Sequence, residues 1–324
     1  MIDFIEKARF SRALVVGGAG FIGSNIVDAL INIGVEVCVI DNLRSGRESN
    51  VDKHMSSNEF SFYKMDITRA DMSYIFHSFR PEVIFYLAAI PSVPFSVLNP
   101  YLTNNTNVSG LLRVLESIRS VSRYNAPKII FSSSSSVYGG SESSSEPESE
   151  DFALNPKSPY ALQKKIGEEY CSLFSNLYNI DTVSLRYFNV FGPRQYCDSP
   201  YASVISSFCN AIKNGTSPII YGDGEQTRDF CYVDNVVHAN LLAANYPGKF
   251  SGDAFNIGTG NSISINKLCA IMMTNQPEYV SKRDGDVKNS LADITKASDV
   301  IGYRPLVSLE SGLDKTLNWY LENA

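Results

Sequence analysis

The stretch from Ala13 to Asp41 constrains the fold more than any other part of the chain. Ala13-Leu14-Val15-Val16 is a short apolar run, the pattern of a strand buried on both faces. It runs straight into Gly17-Gly18-Ala19-Gly20-Phe21-Ile22-Gly23-Ser24, and a helical pattern through Ile26, Val27, Leu30 and Ile31 follows and stops at Gly34. A second strand, Val35 to Ile40, ends at Asp41. Glycines at 17, 20 and 23 suit a tight turn, a close backbone approach to a pyrophosphate and close helix-strand packing, since each of these needs a missing side chain. The helix start offers free amides and a positive dipole end to phosphates. Asp41 can accept two hydroxyl hydrogen bonds from an adenosine ribose and repels a 2′-phosphate. Arg44 and Arg47 lie nearby and leave NADP open, but NAD is preferred. A glycine-rich structural turn would require neither the helix nor the acidic residue.

Strand and helix patterns keep alternating. Phe60 to Met65 reads as a strand with Asp66-Ile67 at its end, where an adenine edge could be read, and Asp71 to Phe79 reads as a helix. Glu82 to Ala89 is another buried strand, with small residues at its carboxyl end. A longer helix is expected from Tyr101 to Val121, with Asn107 and Gly110 inside it. Lys128-Ile129-Ile130-Phe131 runs into the serines 132–136, and Asp181 to Arg186 is a further strand. This alternation argues for an α/β fold, a doubly wound parallel sheet of Rossmann-like type with its ligand crevice beyond the carboxyl ends of the strands. After about residue 190 the pattern loosens. We therefore expect a dinucleotide-binding domain over residues 1–190 and a smaller, discontinuous α/β substrate-binding domain mainly over 191–324. The Ser/Glu-rich stretch 139–157 is a linker or a lid by composition, and its position favours a loop rimming the site.

Composition narrows the function classes. The 324 residues carry a net charge of −6, with 44% hydrophobic and 19% charged residues, as in a soluble globular protein without a nucleic-acid-binding surface. No apolar run approaches the roughly 18 residues of a membrane span. Met1 to Arg12 lacks a signal-peptide core, so cytoplasmic residence is the default expectation. The six cysteines are dispersed and there are only three histidines, which gives neither a disulfide framework nor a metal-site spacing.

A second local feature bears on chemistry. In Ser158-Pro159-Tyr160-Ala161-Leu162-Gln163-Lys164, Ser158 can cap a helix that Pro159 opens. Tyr160 and Lys164 then leave one face as neighbours. An ammonium group beside a phenol favours the ionised phenol, which moves the Tyr toward use as a base. Alone, the spacing is equally that of a surface amphipathic helix.

Taken in order, these motifs resemble those of the extended short-chain dehydrogenase/reductase family, and within it the nucleotide-sugar 4-epimerases. The resemblance covers nearly the whole chain. It rests on residues 17–23, Leu87-Ala88-Ala89, Ser132-Ser133-Ser134-x-x-Val137-Tyr138-Gly139, Tyr160-x-x-x-Lys164 and 186–193. It continues through Arg228-Asp229-Phe230-x-Tyr232-Val233-Asp234, Phe255-Asn256-Ile257-Gly258 and Arg283-x-Gly285-Asp286-Val287. It implies Tyr160 as catalytic acid/base, Lys164 holding the nicotinamide ribose and lowering the Tyr160 pKa, and Ser134 on the reacting sugar hydroxyl. It implies NAD contacts from Gly17, Gly20, Phe21, Ile22, Gly23, Asp41, Asn42, Asp66, Ile67, Leu87, Ala88, Ala89, Asn107, Ser132 and Tyr187. Ser92, Ser136, Asn189, Arg228, Arg283, Asp286 and Ser290 would hold the UDP-sugar. No metal is implied.

Three details bear on the substrate. Phe95 stands where relatives acting on uronic acids often have Arg, which weighs against a glucuronate. Ser290 resembles the sugar-pocket position where a bulky Tyr restricts relatives to non-acetylated sugars, so UDP-N-acetylglucosamine and UDP-N-acetylgalactosamine are expected beside UDP-glucose and UDP-galactose. Ser134 is followed by Ser135-Ser136 rather than the acidic pair of nucleotide-sugar dehydratases. Val16 departs from the usual Thr before the first glycine, without effect on the turn. The rival readings are a decarboxylase, dehydratase or reductase with the same first half, or a non-catalytic NAD-sensing module. The resemblance also implies a homodimer. Leu111, Leu112, Leu115 and Ile118, with Ile166, Tyr170, Leu173 and Phe174, are apolar enough to form its interface, and core packing explains that pattern equally well.

Overall fold

Strand β1 (Arg12–Val16) lies inside a seven-stranded sheet in which every pairing is parallel. This computed structural model describes residues 5, 7–121, 126–140, 146–197, 203–273, 275–282 and 287–323. Helix α1 (Phe21–Asn32) carries the chain from β1 to β2 (Glu36–Asp41), and β3 (Phe60–Lys64) adds beyond it. The chain then returns to the other side of β1 for β4 (Val83–Tyr86), β5 (Lys128–Ser134), β6 (Thr182–Tyr187) and finally the strand Asp253–Ile257. The order reverses between β1 and β4, and a ligand crevice opens at such a reversal beyond the strands' carboxyl ends.

Side chains alternate across the sheet, so each strand feeds two cores. Leu14 and Val16 pack with Ile40, Ile84 and Phe131 in one layer, while Ala13 and Val15 pack with Val37, Val39 and Phe85 in the other. Helices α2 (Ser73–Ser78), α3 (Val93–Leu98), α4 (Pro100–Asn104), α5 (Gly110–Val121) and α6 (Pro159–Tyr178) follow in chain order. α2, α5 and α6 cover the first layer; α1 and the helix Val233–Asn245 cover the second.

The single helix expected over Tyr101–Val121 starts instead at Pro100 and contains a π-turn at Asn105–Ser109. A π-turn inserts an extra residue per turn, and such turns concentrate at functional sites. Here Asn107 is buried within it, and its amide holds the Ile90 backbone: Oδ1 accepts from Ile90 N at 2.7 Å and Nδ2 donates to Ile90 O at 3.2 Å. Of the residues considered for an interface, Leu111, Leu115, Ile118 and Phe174 are buried in the core, so core packing accounts for them. Leu162, Leu173, Leu177 and Tyr178 of α6 are exposed, as are Tyr101 and Leu102 of α4.

Beyond β6 the chain forms two-stranded ribbons that position loops. Val190–Phe191 pairs in parallel with Cys231–Tyr232, and Thr227–Arg228 pairs antiparallel with Ile263–Ser264. The strand Asp253–Ile257 joins β6, with Phe255 opposite Leu185, so part of the chain after 190 belongs to the main sheet. No helix among the described residues is long and apolar enough to cross a membrane.

Candidate active site

At the mouth of β1 the glycines are required by contact distance. A Cβ on Gly17, whose φ is +86°, would lie 2.7 Å from Ala88 N, and one on Gly23 would lie 2.2 Å from Gly17 O. Gly20 is different: a Cβ there would meet only Gly17 O, at 3.3 Å, so its bare surface faces open space. That space is a cradle a dinucleotide's phosphates fit, at the start of α1. Asp41 ends β2 with 8% exposure, its Oδ2 accepting from Ala19 N at 3.0 Å and its Oδ1 from Leu43 N at 2.8 Å. Burial raises its carboxyl above the usual range, against the backbone amides that favour the charge. The Gly20 amide is a third donor to it, and the carboxylate still has lone-pair capacity for a hydroxyl.

At the carboxyl end of β5, Ser134 accepts from Ser136 N at 3.2 Å, and the Tyr160 hydroxyl is hydrogen-bonded to Ser134. Helix α6 begins as its sequence dictates, with Ser158 Oγ accepting from Ala161 N at 3.2 Å and Pro159 in the first turn. A further bond fixes its start: Tyr160 N donates to Ser96 Oγ at 3.1 Å. Lys164 is 3% exposed and donates to the Ser132 carbonyl at 2.5 Å. Burial lowers its pKa to about 8, with the Glu168 charge opposing. The lowered Tyr160 pKa expected from the sequence is not found. Burial raises the phenol to about 12, its bond to Ser134 opposes this weakly, and the Lys164 ammonium is directed at a carbonyl instead.

Behind these residues runs a buried polar chain. Ser133 Oγ donates to Glu168 Oε1 at 2.5 Å, Arg186 forks onto Glu168 with bonds of 3.0 and 2.7 Å, and Arg186 Nη1 donates to the Tyr138 hydroxyl at 2.8 Å. Tyr138 donates in turn to Asn256 Oδ1 at 2.7 Å. The chain ties β5, α6, β6 and the last strand of the sheet together directly under the serines. The sequence reading did not single out Glu168, although it stands four residues beyond Lys164, at the same spacing as Tyr160 and Lys164.

The other wall comes from loops after β6. Asn189 takes a positive φ of 31°, and its Nδ2 donates to Asp229 O at 3.0 Å. Asp229 is fully buried, and its carboxylate gathers Thr259 N, Thr259 Oγ1, Gly260 N and Ala292 N. Its own amide donates to Ser290 O at 2.9 Å. This knot holds Arg228 and Ser290 at the cleft wall.

One cleft of about 1340 Å³ brings these parts together. Its lining includes Gly17, Gly20, Phe21, Ile22, Gly23, Asp41, Asn42, Ile67, Leu87, Ala88, Ala89, Ser132, Ser134, Tyr160, Lys164 and Tyr187. Ser92, Ser136, Asn189, Arg228 and Ser290 line it too. Two expected NAD contacts do not. Asp66 turns its carboxylate onto Thr68, accepting from the amide at 2.9 Å and the hydroxyl at 2.7 Å, which holds its pKa below the usual value despite partial burial. Asn107 spends its amide on Ile90 and on Gln163 Oε1, at 2.8 Å, as a brace behind the site. Arg283 and Asp286 lie outside the described residues. The sequence reading missed Glu148, Arg194 and Tyr196 in the lining. Tyr196 lies under the Arg47 guanidinium at 3.4 Å.

The model of the NAD dependent epimerase/dehydratase family matches residues 13–258, which span the glycine turn, the serines, the Tyr160 helix and Arg228. The chain belongs to that family. Among relatives of this family member, a UDP-glucose 4-epimerase from Mycolicibacterium smegmatis is 40% identical over 317 residues, 95% of this chain and 98% of that protein. A UDP-N-acetylglucosamine 4-epimerase from Methanobrevibacter ruminantium M1, solved in complex with UDP-N-acetylmuramic acid, superposes with a TM-score of 0.90 at 40% identity, covering 98% of this chain and 100% of that one. A UDP-glucose 4-epimerase from Thermotoga maritima, solved with UDP-glucose, gives a TM-score of 0.89 at 39% identity, with 96% and 99% covered.

Proposed function

We propose that this chain is a NAD-dependent 4-epimerase of UDP-hexoses that accepts N-acetylated sugars as well as UDP-glucose and UDP-galactose. One observation carries the reading: Tyr160, hydrogen-bonded to Ser134, shares a single cleft with the glycine cradle on one side and Arg228 on the other. A binding module needs the cradle but no acid/base pair. The names of the similar proteins above support the UDP-sugar class, and the Methanobrevibacter neighbour supports an N-acetylated substrate.

In this reading Gly17, Gly20, Gly23 and the start of α1 hold the NAD pyrophosphate, Asp41 its adenosine ribose, and Lys164 its nicotinamide ribose. Bound NAD supplies a hydride acceptor that returns what it takes and, when oxidised, a positive charge. The residues of the chain handle the proton and the orientation. Tyr160 removes the proton from the sugar 4-hydroxyl as carbon 4 is oxidised, and gives it back after the 4-keto sugar has turned over. Ser134 shares the same hydroxyl and fixes its direction. The Tyr160 phenol, raised by burial, must meet positive charge before it ionises, and Lys164 stands one turn away on the same helix. Asn189 and Arg228 anchor the diphosphate, where a planar guanidinium gives paired, charge-assisted bonds. A smaller cavity of about 230 Å³ shares Asn189 and Arg228 with the main cleft and suits the uridine. The exposed Leu162, Leu173 and Leu177 on α6 support pairing with a second copy.

Incubation with UDP-glucose and, separately, with UDP-N-acetylglucosamine tests the reading. Each should approach a two-epimer equilibrium without net NADH, carbon dioxide or loss of water. Accumulating NADH or a dehydrated product would overturn it. Ser135 and Ser136 offer no acid/base pair for elimination, so the epimerase reading is preferred to the dehydratase.

A further inference from the structure

Glu148 sits in a stretch that reads by composition as an acidic surface run, but the residue is only 6% exposed and lines the cleft. Its backbone is fixed on three sides. Glu148 N donates to Leu291 O at 2.7 Å, and Glu148 O accepts from Asp293 N at 3.0 Å and from Asn256 Nδ2 at 2.7 Å. The segment forms a parallel bridge with Ala292, two residues from Ser290. The carboxyl is thus held by the same strand-like segment that carries Ser290. Its Oε2 is buried and accepts no hydrogen bond among the described residues. Ser136 Oγ, in the same lining, is also buried and without a partner among them.

A buried polar atom left unpaired costs stability, so native folds keep few of them and those few have reasons. Two such atoms in one cleft lining, one on the serine run and one on the segment bridged to Ala292, fit a ligand rich in hydroxyl and N–H groups. The environment agrees. Burial raises the Glu148 carboxyl to about 8, with Arg228 lowering it and the buried Asp229 raising it further. Below that pH the carboxyl is neutral and its unpartnered oxygen suits a hydroxyl or N–H; above it the carboxylate disfavours a second negative charge beside it.

We propose that Glu148 is a specificity-determining residue of the sugar subsite: it hydrogen-bonds a hydroxyl or amide N–H of a neutral hexose and, once ionised, disfavours sugars that carry their own carboxylate. The proposal rests on the UDP-sugar reading but not on turnover, so binding tests it separately from catalysis. Affinities of UDP, UDP-glucose and UDP-glucuronate are measured by calorimetry above the Glu148 value of about 8, where the carboxylate is ionised, for the wild-type holoenzyme, Glu148→Leu and Glu148→Gln. Leu matches the size without hydrogen bonding; Gln keeps an acceptor and removes the acid. Glu148→Leu should weaken UDP-glucose by about tenfold, the scale of one buried hydrogen bond, and leave UDP unchanged. Glu148→Gln should keep UDP-glucose within about threefold and strengthen UDP-glucuronate, as expected when a repelling group is removed. Unchanged UDP-glucose binding in the Leu variant, or UDP weakened as much as UDP-glucose, would overturn the contact, the latter by moving Glu148 to the nucleotide side. A Gln variant no more tolerant of UDP-glucuronate would overturn the selectivity. Intact binding shifts in a protein that turns over no UDP-sugar would count against the epimerase reading and leave this contact standing.

Discussion

Lys164 donates to the Ser132 carbonyl at 2.5 Å, a bond that joins the second turn of α6 to the carboxyl end of β5. The ammonium is thereby aimed along the serine run rather than at Tyr160, whose ring centroid lies 5.9 Å away. The helix and the strand therefore hold the acid/base residue and its neighbouring serine in one fixed relation.

Replacing Tyr160 by Phe removes the hydroxyl and keeps the ring. Tyr160 N still donates to Ser96 Oγ, so the start of α6 is undisturbed. We expect NAD and UDP-sugar binding to survive while turnover falls by about 10²–10⁴, the usual contribution of a positioned acid/base group. Single-turnover kinetics on the purified variant checks this, and unchanged activity would remove Tyr160 from the chemistry.

Gly23→Ala tests the cradle. The added Cβ would lie 2.2 Å from Gly17 O and 2.9 Å from Gly18 Cα, both backbone atoms that cannot rotate away. The turn must open, so the variant should lose NAD during purification and show a lower melting temperature that added NAD restores only in part. Absorbance of released cofactor and a melting curve read both effects.

The buried ion pair makes a different prediction. Glu168 and Arg186 have side-chain exposures of 9% and 6%, so breaking the pair strands a charge in the interior. Arg186→Met should destabilise the fold by about 3–5 kcal/mol, read as a shift in the urea midpoint. Glu168→Gln also removes the charge that raises the Lys164 pKa, so Lys164 should lose its proton at a lower pH than about 8. A nuclear magnetic resonance titration of the lysine separates that effect from lost stability.

What could be read from the sequence follows the range of the interactions. The glycine turn and the Tyr160 helix are local, fixed by spacing within a few residues, and both stand where the sequence put them. Asp66 and Asn107 carried the right residue types, but their directions depend on an Asx-type turn onto Thr68 and on a π-turn that no periodicity revealed. Glu148 was hidden for the opposite reason. Its neighbours are acidic and serine-rich, and only pairing with Ala292, far along the chain, turns it inward. Glu168 was not singled out from the sequence either, and its partner comes from β6, which spacing along α6 could not indicate.

Glu148 also predicts a pH dependence of stability. Its ordinary value is 4.5 and the folded value is about 8. Below 4.5 both folded and unfolded chains hold the proton, and this residue contributes no pH dependence. Between 4.5 and 8 the folded chain keeps a proton that the unfolded chain has lost, so stability falls as pH rises. Above 8 both are ionised and the loss is complete. The stability of Glu148→Gln relative to wild type should therefore grow across that window and level off above it. Denaturant melts of the two proteins at matched pH read the difference directly, and a constant gap would refute the raised value.

Ser290→Tyr tests the breadth of the sugar pocket. Ser290 is 5% exposed in the cleft lining, and its structural contribution is its carbonyl, which accepts from Asp229 N and is kept by any side chain. The added ring would therefore occupy sugar space with little change to the Asp229 knot. A 2-acetamido group needs that space and a 2-hydroxyl does not. We expect kcat/KM for UDP-N-acetylglucosamine to fall by about tenfold or more, the range that misfit of a small group produces, while UDP-glucose changes little. Parallel initial-rate measurements on the two sugars decide it. An equal fall on both would mean that Ser290 faces some other part of the substrate, and the expectation of N-acetylated substrates would lose its support from this residue.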